Sequence, residues 1–282
     1  MRKITSQKIE LFKSHLKDEE KAAITIEKYI RDISAFTSWS INGKIDKDCV
    51  LKYKSYLIEK YALSSVNSAI ASLNSFFSFN EWFELRIKTV KTQKAIFAAE
   101  ERELTKAEYK KLLVAAKEKH NCRLFLLIQT ICSTGIRVSE LRFITVESLN
   151  IGRAEIFAKG KKRTAFLPPE LCKILKKYAI DEEIKNGPVF VSKNGNPLNR
   201  SNIWNEMKAL SKRAGVPQSK VFPHNLRHLF ARTYYFHQKD IVRLADILGH
   251  ANINTTRIYT METENTLKMQ VQSLDLLEKN TT

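Results

Sequence analysis

LGHANINTTRIYT, residues 248–260, decides how this chain is read, together with TGIRVSELR at 134–142 and HNLRH at 224–228. In HNLRH, His224 and Arg227 stand three apart, so on a helix both project from one face, where they can meet a single phosphate. Arg137 and Glu140 in TGIRVSELR share that spacing, and a carboxylate one turn from a guanidinium can hold it in place without touching a ligand. Taken singly, such an Arg-Glu pair is an ordinary helix surface pair, and a lone helical histidine is usually structural. Three clusters of this kind in one chain ask for a common explanation.

Working outward, 282 residues exceed one average domain, and 43% apolar content suffices for packed cores, which predicts two globular domains. The 48 Lys and Arg outnumber 30 Asp and Glu, leaving +18. That excess points to a polyanionic partner, nucleic acid ahead of an anionic membrane surface. No apolar run reaches the length of a membrane span, and the first segment, MRKITSQKIELFKSHLKDEE, carries acids where a signal peptide needs an apolar stretch. A soluble cytoplasmic protein with no membrane association is expected. Cys49, Cys122, Cys132 and Cys172 form no CxxC pair and have no histidine at zinc-ligand distance, so reduced, mostly buried thiols and no metal site are expected.

Apolar residues recur at three-to-four spacing around Ile9, Phe12 and Leu16; Ile26, Tyr29, Ile30, Ile33 and Phe36; Val50, Tyr53, Leu57 and Tyr61; and Val66, Ile70, Leu73 and Phe77. Four helices follow, with Asn42-Gly43 breaking the chain between the second and third and Ser64 or Ser65 as N-cap of the fourth. The pattern dissolves after Lys88 and resumes where Thr105 and Glu108 make a capping box. The expected organisation is a helical domain at 1–90, a linker at 91–103 and a second domain at 104–282. Residues 1–100 hold 17 basic and 12 acidic residues and the rest 31 and 18, or +5 and +13, so the second domain carries most of the attraction for a polyanion. There, LFLLIQTIC reads as a buried helix ending near Gly135, AEIFA and TAFLP as a hairpin with the basic tip KGKKR, and four later segments as helices. The fold class is mainly α with a small antiparallel β-sheet.

In this order the clusters resemble the tyrosine recombinase (phage integrase) family, whose signature is an arginine in TGxRxSEL, a lysine on a β-hairpin, an HxxRH helix, LGHxxxxTT and a tyrosine shortly after. The matching residues are Arg137, Lys159, His224 with Arg227, His250, and Tyr259 nine positions beyond His250. The resemblance spans essentially the whole chain. It implies an N-terminal helical core-binding bundle and a catalytic domain, with Tyr259 attacking the scissile phosphate to leave a 3'-phosphotyrosyl link and a free 5'-hydroxyl. Arg137 and Arg227 would clamp the non-bridging oxygens, where planar, permanently charged forks suit the developing charge. Forming a tyrosinate at pH 7 costs about 4 kcal/mol from a reference pKa near 10, so a base is needed, and His224 is the candidate. Lys159, before Gly160 in KGKKR, would protonate the leaving 5'-oxygen, with Lys161 and Lys162 as alternatives on the same tip. His250 would hydrogen-bond the phosphate or position its neighbours, and Glu140 would hold Arg137. Tyr234 and Tyr235 lack the LGH and TT context and read as packing or DNA contacts.

The resemblance further implies double-stranded DNA with paired inverted half-sites as partner, a free monomer assembling as a homotetramer on DNA, and neither metal, ATP nor other cofactor. A Xer-like recombinase or small mobile-element integrase fits best, because roughly the first twenty residues of the chain are too few for a stable arm-binding domain. An amphipathic tail helix bearing Leu267, Val271, Leu274 and Leu276 or Leu277 would dock on a neighbouring protomer, or else on its own domain. The alternatives are a type IB topoisomerase-like activity, which relaxes DNA through the same intermediate, and a non-catalytic DNA-binding regulator of the same fold.

Overall fold

The computed structural model describes residues 2–40, 44–91, 102–119, 121–158, 160–192, 194–260, 268–269 and 271–274. The chain divides into two compact units, Met1–Lys94 and Ala95–Thr282. In the first, α1 (Ser6–Asp18), α2 (Ala23–Trp39), α3 (Lys47–Lys60) and α4 (Leu63–Phe79) are the four helices predicted by the apolar spacing. Thr5 and Asp46 cap α1 and α3 by accepting backbone N–H bonds from Lys8 and Cys49. The apolar stripes close on an aromatic core in which Phe12 meets Phe76 edge to face at 5.3 Å and Phe36 packs on Tyr53 at 4.9 Å.

Two features of this unit depart from expectation. Helix α4 begins at Leu63 with Ala62 in the cap position and no side-chain cap, so Ser64 and Ser65 lie inside its first turn. The buried face of Val66, Ile70, Leu73 and Phe77 sets where the helix must run, and that burial outweighs the ~1 kcal/mol a serine cap contributes. A two-residue ladder also joins β1 (Arg2–Lys3) to β2 (Lys44–Ile45). The extended segment after α4 is held by α4 itself. Asn74 and Asn67 each exchange a pair of hydrogen bonds with the backbone, at Ile87 and Val90.

In the second unit, α5 (Lys106–Glu118) opens with the predicted Thr105/Glu108 capping box. The apolar run becomes α6 (Cys122–Thr134), whose Leu124, Leu127, Ile128 and Ile131 lie in the main core. Around it stand α7 (Val146–Ile151), α8 (Pro169–Asp181), α9 (Arg200–Arg213), α10 (Pro223–Gln238) and α11 (Ile241–Leu248). The predicted hairpin is β3 (Arg153–Ala158) against β4 (Lys161–Phe166), antiparallel with Ala158 opposite Lys161. Its strands alternate as a half-buried sheet should, with Ala154, Ile156 and Ala165 in the core and Phe157 and Phe166 exposed. Of the cysteines only Cys172 is buried. Cys49 and Cys132 are half-buried, and Cys122 is exposed because it occupies the first turn of α6, ahead of the residues that enter the core. Among the described residues no helix is long and apolar enough to cross a membrane.

Gly135 ends α6 with φ +66°, and a Cβ there would lie 2.4 Å from the Phe230 ring. Both the backbone sign and the close approach demand glycine. Gly135→Ala should therefore destabilise the second unit by about 1–3 kcal/mol, read from its urea transition; an unchanged midpoint would contradict this account.

Candidate active site

Arg137 follows Gly135 and Ile136 at the end of α6 and caps a 3-10 helix over Val138–Phe143. The Arg137-Glu140 spacing is thus realised on a 3-10 turn, where residues three apart stand one above the other. Glu140 uses both oxygens. Oε2 accepts the backbone N–H of Arg137 at 2.7 Å and Oε1 accepts its Nη1 at 2.9 Å. A second cation, Arg163 of β4, donates Nη2 to Glu140 Oε2 at 2.5 Å and Nη1 to the Ile247 carbonyl at 2.7 Å. Glu140 is only 2% exposed. Burial by itself would push its carboxyl up, but the Arg137 backbone N–H and the two guanidinium charges overcome this and hold it below the usual carboxylate range.

His224 and Arg227 project from adjacent turns of α10, as their spacing predicted. The Arg227 side chain is 1% exposed, with Nη1 donating to the Gly135 carbonyl at 2.5 Å and Nη2 to the Leu248 carbonyl at 2.6 Å. Burial and the neighbouring Arg137 push its pKa down to about 10, which still leaves it charged at neutral pH. Nη2 also lies 3.1 Å from His250 Nε2. Because a guanidinium can only donate, Nε2 must accept, so the His250 proton sits on Nδ1, which donates to Thr256 Oγ1 at 2.9 Å. Both ring nitrogens of His250 are therefore engaged in this geometry, one with Arg227 and one with Thr256.

Tyr259 lies on a 3-10 turn at Arg257–Tyr259, 3% exposed, among Ala231, Leu244 and Leu248. Its ring stands edge-on to His228 at 4.8 Å and stacks over His250 at 6.0 Å, and His228 in turn meets His224 at 4.7 Å. Tyr234 and Tyr235 pack against the same small cluster. A cleft of about 220 Å³ is lined by Arg137, Ser139, Arg200, Trp204, His224 and Arg227. The site thus gathers five of the six residues singled out from the sequence, together with Glu140. Lys159 lies outside the described residues, and so does most of the tail helix, Leu267, Leu276 and Leu277 included.

Sequence reading missed Arg163, His228, Arg200 and Trp204. Arg163 ends the KGKKR run and His228 the HNLRH motif, so both were in view without a partner to give them a role. Arg200 and Trp204 are four apart on α9, an exposed aromatic one turn from a cation.

The three histidines sit among cations. Burial, then Arg227, Arg137 and Arg200, lower the pKa of His224; burial and the charges nearby push His228 and His250 down to about 4 from 6.5. Unfolded chains therefore bind more protons than the folded protein between pH 4 and 6.5. Stability is complete above that window and lost as pH falls through it. The urea midpoint should decline between pH 6.5 and 4 less steeply in a His228→Asn/His250→Gln variant than in the wild type; equal slopes would contradict the assignment.

The phage integrase family matches residues 102–266, the segment that carries the whole cleft. Tyrosine recombinase XerA of Pyrococcus furiosus is 31% identical over 286 residues, covering 98% of this chain and 96% of that protein. A XerH site-specific recombinase bound to its difH substrate superposes with a TM-score of 0.69 at 23% identity, over 98% of this chain and 85% of that one. A lambda integrase from a tetramer bound to a Holliday junction gives 0.71 at 18% identity, over 92% and 78%. These two share the fold, an α-rich body with a small antiparallel sheet. With more than half its length matched by the family and a relative above 30% identity along nearly all of it, the chain belongs to the phage integrase family of tyrosine recombinases.

Proposed function

We propose that this chain is a site-specific recombinase that cleaves and rejoins double-stranded DNA through Tyr259, and that Arg137, Lys159, His224, Arg227 and His250 serve that reaction. The observation that carries the assignment is the convergence of Arg137, His224 and Arg227 on one cleft beside the segment that bears Tyr259. In cleavage the Tyr259 oxygen bonds to phosphorus as the P–O5' bond breaks, and the 5'-oxygen takes a proton from Lys159. A partner strand's 5'-hydroxyl reverses the step, so the phosphodiester bond energy is retained in the phosphotyrosine. His224, its pKa lowered, is unprotonated at neutral pH and free to take the tyrosine proton. Arg137 and Arg227 stabilise charge on the non-bridging oxygens.

A ring 3% exposed cannot reach a phosphate, so attack follows a movement of the segment around Tyr259 out of its packing. The first unit, read as a core-binding domain over residues 1–90, and the catalytic domain from 104 would each hold one face of a half-site, joined by a linker at 91–103. Paired inverted half-sites would bring four protomers together from free monomers. The excess of basic residues favours such a polyanionic partner, and the cytoplasm is the compartment where it is met.

Incubation with a random-sequence duplex library, followed by denaturation and sequencing of protein-linked DNA, should recover one recurrent site. Tyr259→Phe should bind that site as the wild type does and form no adduct; an adduct persisting in the variant would overturn the nucleophile assignment. Arg137→Ala should bind and lose at least about 100-fold in cleavage. Wild-type cleavage should proceed undiminished in chelator, and a requirement for added metal would count against this chemistry.

A further inference from the structure

Arg163 makes contacts that the proposed reaction leaves unused. Its side chain is 12% exposed, and its two terminal nitrogens reach different segments, Glu140 on the 3-10 turn and the Ile247 carbonyl at the end of α11. Its Nε is buried without a hydrogen-bond partner. The side chain runs across Gly249, where a Cβ would lie 2.4 Å from Arg163 Cδ and 3.0 Å from Nε. The glycine of LGH is thus needed for two reasons, the αL end of α11 (φ +64°) and the passage of this arginine.

We propose that Arg163 is a positioning residue for strand cleavage, one guanidinium that fixes the Glu140-held Arg137 relative to the end of α11, where His250 and the Tyr259 segment begin. The proposal rests on the roles given to Arg137 and Tyr259 above. Its two acceptors lie on different segments, and a planar fork spans them where a lysine could satisfy only one. The Arg137 side chain is held by Glu140, and among the described residues Arg163 is the one that hydrogen-bonds Glu140 from outside its own turn. The guanidinium thus connects the cation of TGIRVSELR with the histidine of LGH, two motifs more than a hundred residues apart.

Three cations face Glu140: Arg137 from its own turn, Arg163 from β4 and Arg227 from α10. Removing Arg163 takes one hydrogen-bonded countercharge from a buried carboxylate, which then takes up a proton at higher pH and loosens its hold on Arg137.

The test measures covalent adduct formation on a nicked duplex carrying the sequence recovered by trapping, with full-length Arg163→Met and Arg163→Lys in wild-type and Arg137→Ala backgrounds. Arg163→Met should slow cleavage on the order of 100-fold, as for a misplaced catalytic group, with duplex binding little changed. In the Arg137→Ala background the same substitution should cost far less, because its route to the phosphate is gone. The acid limb of the pH profile should move to higher pH in Arg163→Met and move back when Glu140→Gln is added. If Arg163→Met fails to fold, Arg163→Lys should show the same non-additivity with a smaller loss. Equal losses in both backgrounds with an unmoved pH profile would mean a merely structural arginine and overturn the proposal alone. A wild-type chain that forms no adduct would overturn the recombinase assignment and the proposal with it.

Discussion

A charged guanidinium with 1% of its surface exposed is the constraint around which the second unit is arranged. Taking such a group out of water costs several kcal/mol unless good acceptors replace the lost hydration. Arg227 finds them at two helix ends. The carbonyls of Gly135, just past α6, and Leu248, last in α11, belong to the groups that a helix leaves without an internal partner, and they carry the negative end of its dipole. In each case an αL glycine ends the helix, Gly135 at φ +66° and Gly249 at φ +64°. The TG of one motif and the LG of another are therefore two halves of one arginine site, which is why they occur in the same chain as HNLRH.

The same construction leaves a deliberate excess of positive charge. Arg137, Arg163 and Arg227 surround one carboxylate, Glu140, and each lowers the proton affinity of the histidines or guanidiniums beside it. In the DNA-free protein this repulsion is a cost, partly offset by Glu140 and the helix-end carbonyls. A phosphate in the cleft would supply the missing negative charge, so the arrangement is better matched to the complex than to the free protein. The neutral histidines follow from burial first and then from the same field, both of which disfavour the imidazolium and keep the imidazoles unprotonated at neutral pH.

Much of this was legible in the sequence because it depends on local rules. Periodicity located the helices, Thr105 and Glu108 announced their capping box, and β-prone runs around KGKKR gave the hairpin. Arg137, Glu140, His224, Arg227, His250 and Tyr259 were visible as motif members. What escaped depends on tertiary contacts. Nothing local to KGKKR says that Arg163 reaches Glu140 and Ile247, 23 and 84 residues away. The start of α4 was misplaced because cap preference is worth less than the burial of Phe77 and its neighbours, and the exposure of Cys122 follows from its place at the first turn of a helix whose later residues fill the core. The extended run at 87–90 showed no pattern of its own because its order comes from Asn67 and Asn74 on another element.

The neutral state of His250 ties these pieces into one directional path. Arg227 can only donate, so His250 Nε2 accepts and Nδ1 gives its proton to Thr256 Oγ1, a side chain with no exposed surface. The Thr256 carbonyl in turn accepts the backbone N–H of Tyr259 at 2.9 Å. Protonating Nε2 would set a donor against a donor and break the path at its first bond. A phosphate that took the Nη2 donor of Arg227 would also leave the His250 acceptor without its partner, and the ring would then lose one of the two bonds that fix its orientation. Tyr259 stacks on that ring, so a change in the orientation of the imidazole would reach the packing of the tyrosine. The arginine, the imidazole and the tyrosine ring are in this way linked through a single nitrogen atom.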